Sequence, residues 1–168
     1  MTNLINSLLV CFCLLTSTAV FADITVPMNM TSSQGIGNSV GEIVISQTKY
    51  GLLFTPHLHG LTPGIHGFHI HENSSCNQNG MAAGGHFDPK NTGKHLGPYN
   101  DGGHQGDLPA LYVTTDGYAS LPVLAPRLNN FSILTHHALM FHDGGDNYSD
   151  IPAKLGGGNG RMACGVIS

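Results

Sequence analysis

The chain has 168 residues and a formal net charge of −4, from 6 basic and 10 acidic side chains, a length that suits one domain. So few basic residues leave no footprint for nucleic acid, and no basic amphipathic run marks a membrane surface. With 23 glycines, no tryptophan and only 10% charged residues, the composition fits a loop-rich all-β protein.

The first residues read as an export signal. Leu8 to Leu15 is an unbroken apolar run, too short to span a bilayer. Val20-Phe21-Ala22 places small residues at the outer positions of a cleavage site. Met1 to Ser7 contains no Lys or Arg, so the amino terminus is its only positive charge. Residues 1–22 are therefore expected to be removed as a signal peptide, leaving 23–168 as one domain with no membrane attachment. Export fits a periplasmic or an extracellular destination. Cys11 and Cys13 leave with the signal, and Cys76 and Cys164 remain as an even pair in an oxidising compartment. A disulfide between them would close a long loop; two free buried thiols or a shared metal are the alternatives.

Short β-prone runs then follow one another, bounded by Gly, Pro, Asn and Asp. The expected strands are Ile24 to Met30, Gly41 to Gln47, Gly51 to Pro56, Ile65 to His71, Ala110 to Thr114, Tyr118 to Val123, Ser132 to Phe141 and Met162 to Ile167. Asp116-Gly117 is a turn signal between two of them. Several short strands at this spacing argue for a sandwich or barrel. The pattern fails between Glu72 and Leu108 and again between His142 and Arg161. Loops of that length are usually functional or disordered.

The long loops carry the chemistry. His69 and His71 are two apart on an expected strand and so share a face, an arrangement suited to copper or zinc. His86, His95, His104 and Asp107 form a three-histidine, one-carboxylate set of the kind zinc takes. With His142 added there are seven ligands where two four-ligand sites need eight. One imidazole binding a metal through each nitrogen removes the shortfall, and His86, in Gly84-Gly85-His86-Phe87-Asp88-Pro89, is the candidate. His66 and His137 read as structural, and His57 and His59 as solvated residues at a strand end. Met28, Met30, Met81, Met140 and Met162 read as core filling.

The chain resembles the copper/zinc superoxide dismutases of the bacterial secreted type. The resemblance is carried by His66-Gly67-Phe68-His69-Ile70-His71-Glu72, Ala83-Gly84-Gly85-His86-Phe87-Asp88-Pro89, Gly93-Lys94-His95-Leu96-Gly97-Pro98 and Gly103-His104-Gln105-Gly106-Asp107-Leu108-Pro109. It continues through Leu121-Pro122-Val123-Leu124-Ala125-Pro126-Arg127, Met140-Phe141-His142-Asp143-Gly144-Gly145-Asp146-Asn147-Tyr148-Ser149-Asp150 and Gly160-Arg161-Met162-Ala163-Cys164-Gly165-Val166-Ile167. It implies a flattened Greek-key barrel or sandwich, immunoglobulin-like, with long metal-binding and disulfide loops. It implies one copper on His69, His71, His86 and His142, and one zinc on His86, His95, His104 and Asp107, bridged by His86. Asp146 would accept hydrogen bonds from His69 and His95, Arg161 would attract an anion to the copper, and Cys76 would pair with Cys164. The implied activity is dismutation of superoxide to oxygen and hydrogen peroxide, with His86 and Arg161 catalytic; a metal-buffering protein on the same fold is the other reading. Lys90, Lys94 and Lys154 are candidates for steering the substrate. Asn77-Gln78-Asn79-Gly80-Met81 is shorter and less charged than the matching loop of many secreted relatives, which removes lysines from that position and weakens any inference about a homodimer contact.

Overall fold

The computed structural model describes residues 22–168. The export signal read over residues 1–22 lies outside them apart from Ala22. Among the described residues the strands are β1 (Ile24–Ser32), β2 (Gly35–Thr48), β3 (Gly51–Leu58), β4 (Gly64–His66), β5 (Phe68–His71), β6 (Leu111–Val113), β7 (Val123–Ala125), β8 (Ala138–His142) and β9 (Arg161–Val166). Seven of them form one curled antiparallel sheet in the order β5-β8-β9-β1-β2-β3-β7, and β4 pairs with β6 in a second. The non-consecutive neighbours β5-β8 and β9-β1 are the crossovers that a Greek-key arrangement requires.

Alternation builds the core. In β2, Ile43 and Ile45 are fully buried while Glu42 and Ser46 stay partly exposed. In β3, Leu52, Phe54 and Leu58 turn inward. Phe54 meets Phe68 edge to face at 5.8 Å, a preferred aromatic geometry. β2 and β3 join through the two residues Lys49 and Tyr50, closed by the Thr48–Gly51 pair. Gly51 sits at φ 130°, and a Cβ there would press on the Ala125–Pro126 backbone of neighbouring β7.

Four expected strands differ from the observed ones; the one expected over Gly41 to Gln47 begins earlier, at Gly35, and runs to Thr48. The run from Ile65 to His71 is cut at Gly67, whose N–H donates to Gly144 O at 2.8 Å and whose carbonyl accepts from His142 N at 2.9 Å. The loop between β8 and β9 thus enters the strand there. Tyr118 to Val123 contributes only a bridge at Ala119, and the strand forms at Val123–Ala125 instead. Pro122, which has no N–H to give a ladder, precedes it. In Ser132 to Phe141 the first half is a 3-10 turn at Phe131–Ile133, and His136 at φ 69° keeps the strand from starting before Ala138. The Asp116-Gly117 turn forms as read, with Thr114 N donating to Tyr118 O at 2.8 Å.

Both long irregular stretches are present, holding only a 3-10 turn at Met81–Ala83 and another at Lys154–Gly157. Cys76 and Cys164 are disulfide-bonded, which ties the first loop to β9. Met28, Met140 and Met162 are core residues and Met30 packs against the core. Met81 corrects the core-filling reading: it is 61% exposed.

Candidate metal centre

The site is assembled on a free edge of the sheet. β5 pairs with β8 on one side. On the other side the long loop takes the place of a strand: Phe87 N donates to Ile70 O, Ile70 N to Gly106 O, and Glu72 N to Gly85 O, at 2.8 to 3.0 Å. Backbone bridges set His86 beside His71 and Asp107 beside His69. Gly106 has to be a glycine for this, because a Cβ there would lie 2.9 Å from Phe87 N and closer still to Ile70 O. His142 comes from the end of β8, opposite β5. The loop therefore converts sequence-distant histidines into one buried cluster.

Hydrogen bonds sort the ring nitrogens. Asp146 lies between two rings, with Oδ2 2.8 Å from His69 Nε2 and Oδ1 2.8 Å from His95 Nε2. These Nε2–H groups donate to the carboxylate, so Nδ1 of each ring keeps its lone pair. His71 Nδ1 donates to Gly84 O at 2.9 Å, leaving Nε2 bare. That Nε2 lies 3.3 Å from His142 Nε2. His86 differs from the other rings: Nε2 has no partner, and Nδ1 lies 2.9 Å from Asp107 Oδ1. His69, His71, His86 and His142 put ligand nitrogens within 4.8 Å of one another.

Around Asp107 Oδ1 stand three Nδ1 atoms, of His86 at 2.9 Å, His95 at 3.0 Å and His104 at 3.4 Å. Those of His95 and His104 are buried yet make no hydrogen bond, so they are close to the carboxylate without being aimed at it. Metal–nitrogen bonds of about 2.0 to 2.1 Å in a tetrahedron imply ligand atoms about 3.3 to 3.4 Å apart. His104 stands at that spacing from the carboxylate oxygen, and His86 and His95 stand somewhat closer to it. The tightest second quartet is His69, His86, His95 and Asp107. His69 Nδ1, however, also belongs to the first group, and His104 supplies the remaining unpartnered nitrogen. The orphaned nitrogens and the lone carboxylate thus fit a copper ion on one side of His86 and a zinc ion on the other.

Burial keeps the rings of the first group in ligand form. Burial lowers His69, His71, His86 and His142; His86 falls to about 3 and His142 to about 2. Burial also opposes the charged form of His95, but the adjacent Asp107 carboxylate and the hydrogen bond to Asp146 outweigh that and raise it to about 9. Asp107 and Asp146 are held well below the usual carboxylate range: burial works against this, and the surrounding imidazoles overcome it.

A cavity of about 330 Å³ opens onto the first group, lined among others by His71, His86, His142, Arg161, Lys154 and Met81. Arg161 donates to Gly80 O and Gly84 O, each at 2.5 Å, which fixes its guanidinium beside the rings. Lys154 stands at the mouth, whereas Lys90 lines a separate cleft and Lys94 is exposed. His66 is buried with its ring nitrogens 2.8 Å from His142 O and Thr62 O, and His137 Nδ1 donates to Glu72 O at 2.8 Å. His57 and His59 are exposed. Two contributors carried no distinct signal in the sequence. Gly84 acts through its carbonyl. Asp150 accepts from His95 N at 2.9 Å and Leu155 N at 3.2 Å, joining the two irregular stretches.

Comparisons with known proteins agree with this geometry. Residues 39–167 match the family model described as copper/zinc superoxide dismutase (SODC). The chain is 59% identical over 152 residues to superoxide dismutase [Cu-Zn] 1 of Salmonella typhimurium, covering 86% of each. It is 52% identical over 157 residues to the superoxide dismutase [Cu-Zn] of Photobacterium leiognathi, covering 89% of this chain and 88% of that one. Among solved structures, the Cu/Zn superoxide dismutase from Brucella abortus superposes with a TM-score of 0.83 at 49% identity, over 88% of this chain and 100% of that one. The monomeric copper, zinc superoxide dismutase from Salmonella enterica gives 0.78 at 53% identity with the same coverage. Family match, fold and a histidine cluster divided by one ring all point the same way: the chain belongs to the copper/zinc superoxide dismutase family.

Proposed function

We propose that the protein converts superoxide to molecular oxygen and hydrogen peroxide, 2 O2•− + 2 H+ → O2 + H2O2, with copper held by His69, His71, His86 and His142 and zinc by His86, His95, His104 and Asp107. The observation that carries this reading is His86, whose Nε2 is buried without a hydrogen-bond partner while its Nδ1 lies beside Asp107, so that each ring nitrogen faces a different ligand group. Copper in the first set supplies one-electron redox chemistry, and zinc in the second supplies a fixed positive charge.

The chain's own residues do the rest. Arg161, charged at any working pH, holds the substrate anion at the floor of the cavity. Lys154 at the mouth adds to the attraction; focusing of anions by such a field is a general effect for which superoxide dismutase is a standing example. When its Nε2 is not engaged as a ligand, His86 would hold one of the two protons that the peroxide product takes up, the other coming from solvent. Asp146 keeps His69 and His95 in the tautomers whose Nδ1 atoms are free. The burial that excludes water also keeps the rings of His69, His71, His86 and His142 neutral.

Every proposed ligand comes from one chain, so the chemistry asks nothing of a homodimer. Residues 1–22, read as a cleaved signal, place the mature protein, 23–168, in the periplasm or outside the cell; an exported protein that starts at Met1 contradicts this. A metal buffer would need neither Arg161 in the cavity nor a shared ring. The test is a superoxide assay on protein carrying one copper and one zinc, beside His86→Ala loaded in the same way. The reading expects high activity in the first and a loss of at least about 10²-fold in the second; full activity in His86→Ala, or none in the loaded parent, overturns it.

A further inference from the structure

We infer that Arg127 is a positioning residue for the zinc set, holding the turn from Asn100 to His104 so that His104 Nδ1 stays aimed at its fellow ligands. This rests on the zinc assignment proposed above. Arg127 lies two residues beyond β7, on a firm platform: Leu128 N donates to Ala125 O at 3.2 Å, Leu52 N donates to Leu128 O at 2.8 Å, and Leu128 is buried. From there the guanidinium crosses to the metal loop. Nη1 donates to Asn100 O and, at 3.5 Å, to Gly103 O; Nη2 donates to His104 O. One cation thus gathers three main-chain carbonyls of a single turn.

The carbonyls are what Arg127 is used for. Asp88 and Asp101 line the same small cleft, yet among the described residues Arg127 forms no ion pair. Its Nε is buried without an acceptor, a cost that a surface arginine would not carry. A planar fork can reach carbonyls at fixed angles, which the single ammonium of a lysine cannot do.

The turn needs such a device. Asp101 and Gly102 are exposed, and the Gly102-Gly103 pair has little stiffness of its own. His104 is also the loosest member of its set: its Nδ1 is 3.4 Å from Asp107 Oδ1, against 2.9 and 3.0 Å for His86 and His95. Its side chain is 10% exposed where the other two rings are at most 1%. His86 and His95 are fixed by bridges, by Asp146 and by Asp150. For His104 the fixed points are its N–H on Lys94 O at 2.9 Å and, on its carbonyl, a long bond from Asp107 N at 3.4 Å and the Arg127 clamp.

The test is a double-mutant cycle on the mature, disulfide-bonded protein, reading zinc affinity by competition with a chromophoric chelator and the ligand-field absorption of Co2+ bound in place of zinc. Arg127→Met should weaken zinc binding about 10- to 100-fold and change the Co2+ spectrum, with Arg127→Lys intermediate. In a His104→Ala background, Arg127→Met should cause no further loss. Unchanged affinity in both Arg127 variants, or the same fold-loss with and without His104, overturns the inference. If His104→Ala itself leaves zinc affinity unchanged, the ligand assignment falls and takes the inference with it. If His104→Ala weakens binding and the Arg127 variants do not, the inference falls alone. Should Arg127→Met not fold, Arg127→Lys carries the same cycle.

Discussion

A Cβ on Gly156 would lie 2.7 Å from Cγ of Asp146 and 2.9 Å from His95 Nε2. Gly156 also sits at φ 70°, where any other residue is strained. The carboxylate that orients His69 and His95 therefore occupies the space a side chain at position 156 would take. Gly156→Ala should push Asp146 off its two rings. Because outer-shell partners typically carry 10- to 100-fold in metal affinity, zinc and copper binding should each weaken by about that factor in chelator competition. Wild-type affinity for both metals would show that Asp146 does not depend on this contact.

The disulfide supports the site as well as the fold. It joins residues 88 apart, and the chain-entropy account assigns such a loop about 4 to 5 kcal/mol. It also holds the segment whose Gly80 and Gly84 carbonyls receive Arg161, and whose Gly84 carbonyl orients His71. Cys76→Ser with Cys164→Ser should lower denaturant stability by several kcal/mol and reduce activity even where the protein remains folded. Loss of stability with activity intact would separate the two roles.

The metal-free protein should lose stability as pH falls from 7 toward 4. Burial lowers His69, His71, His86 and His142 in the folded state, with His86 near 3 and His142 near 2. The unfolded chain takes up protons below about pH 6.5 that these rings refuse. Their contribution is complete above that value and falls away below it. His95, raised to about 9, works the other way: its contribution is present below about 6.5 and lost as pH rises through 9. Four rings against one set the sign. Denaturant midpoints across pH 4 to 8 check it, and a midpoint that rises on acidification would contradict it.

Arg161 and Lys154 share the cavity but not the same contacts. Arg161→Gln removes a fixed charge and two carbonyl bonds at its floor; Lys154→Gln removes only an exposed charge at its mouth. The first should slow the reaction about tenfold or more and the second less. Both should flatten the fall of rate with ionic strength. An unchanged salt dependence in both variants would remove these residues from substrate attraction.

Much of this site could be read from the chain because its ligands lie in compact local patterns. His69 and His71 sit two apart on a strand, and the sets around His86 and Asp107 fall within one loop. The strand pattern was also legible where alternation was clear, as in β3; in β2 it is imperfect, and that strand begins at Gly35, before the Gly41 expected from the sequence. What could not be read depends on contacts between distant segments. Gly67 breaks a strand because Gly144 bonds into it. Met81 looks like any core methionine until the loop carries it to the mouth of the cavity. Gly84 and Asp150 act through, or upon, main-chain groups, and a main-chain carbonyl leaves no trace in residue identity. Arg127 stands in a matched motif, but its partners are carbonyls more than twenty residues away.

The most direct test is the separation of the two ions. Diffraction data collected at the copper and zinc absorption edges would locate each separately in loaded crystals. One imidazole spanning metal–nitrogen bonds of about 2.0 to 2.1 Å sets the ions about 6 Å apart. The account predicts that spacing, with the His86 ring between them, Nε2 toward copper and Nδ1 toward zinc. Ions farther apart than one ring can span, or a His86 ring touching only one of them, would contradict it.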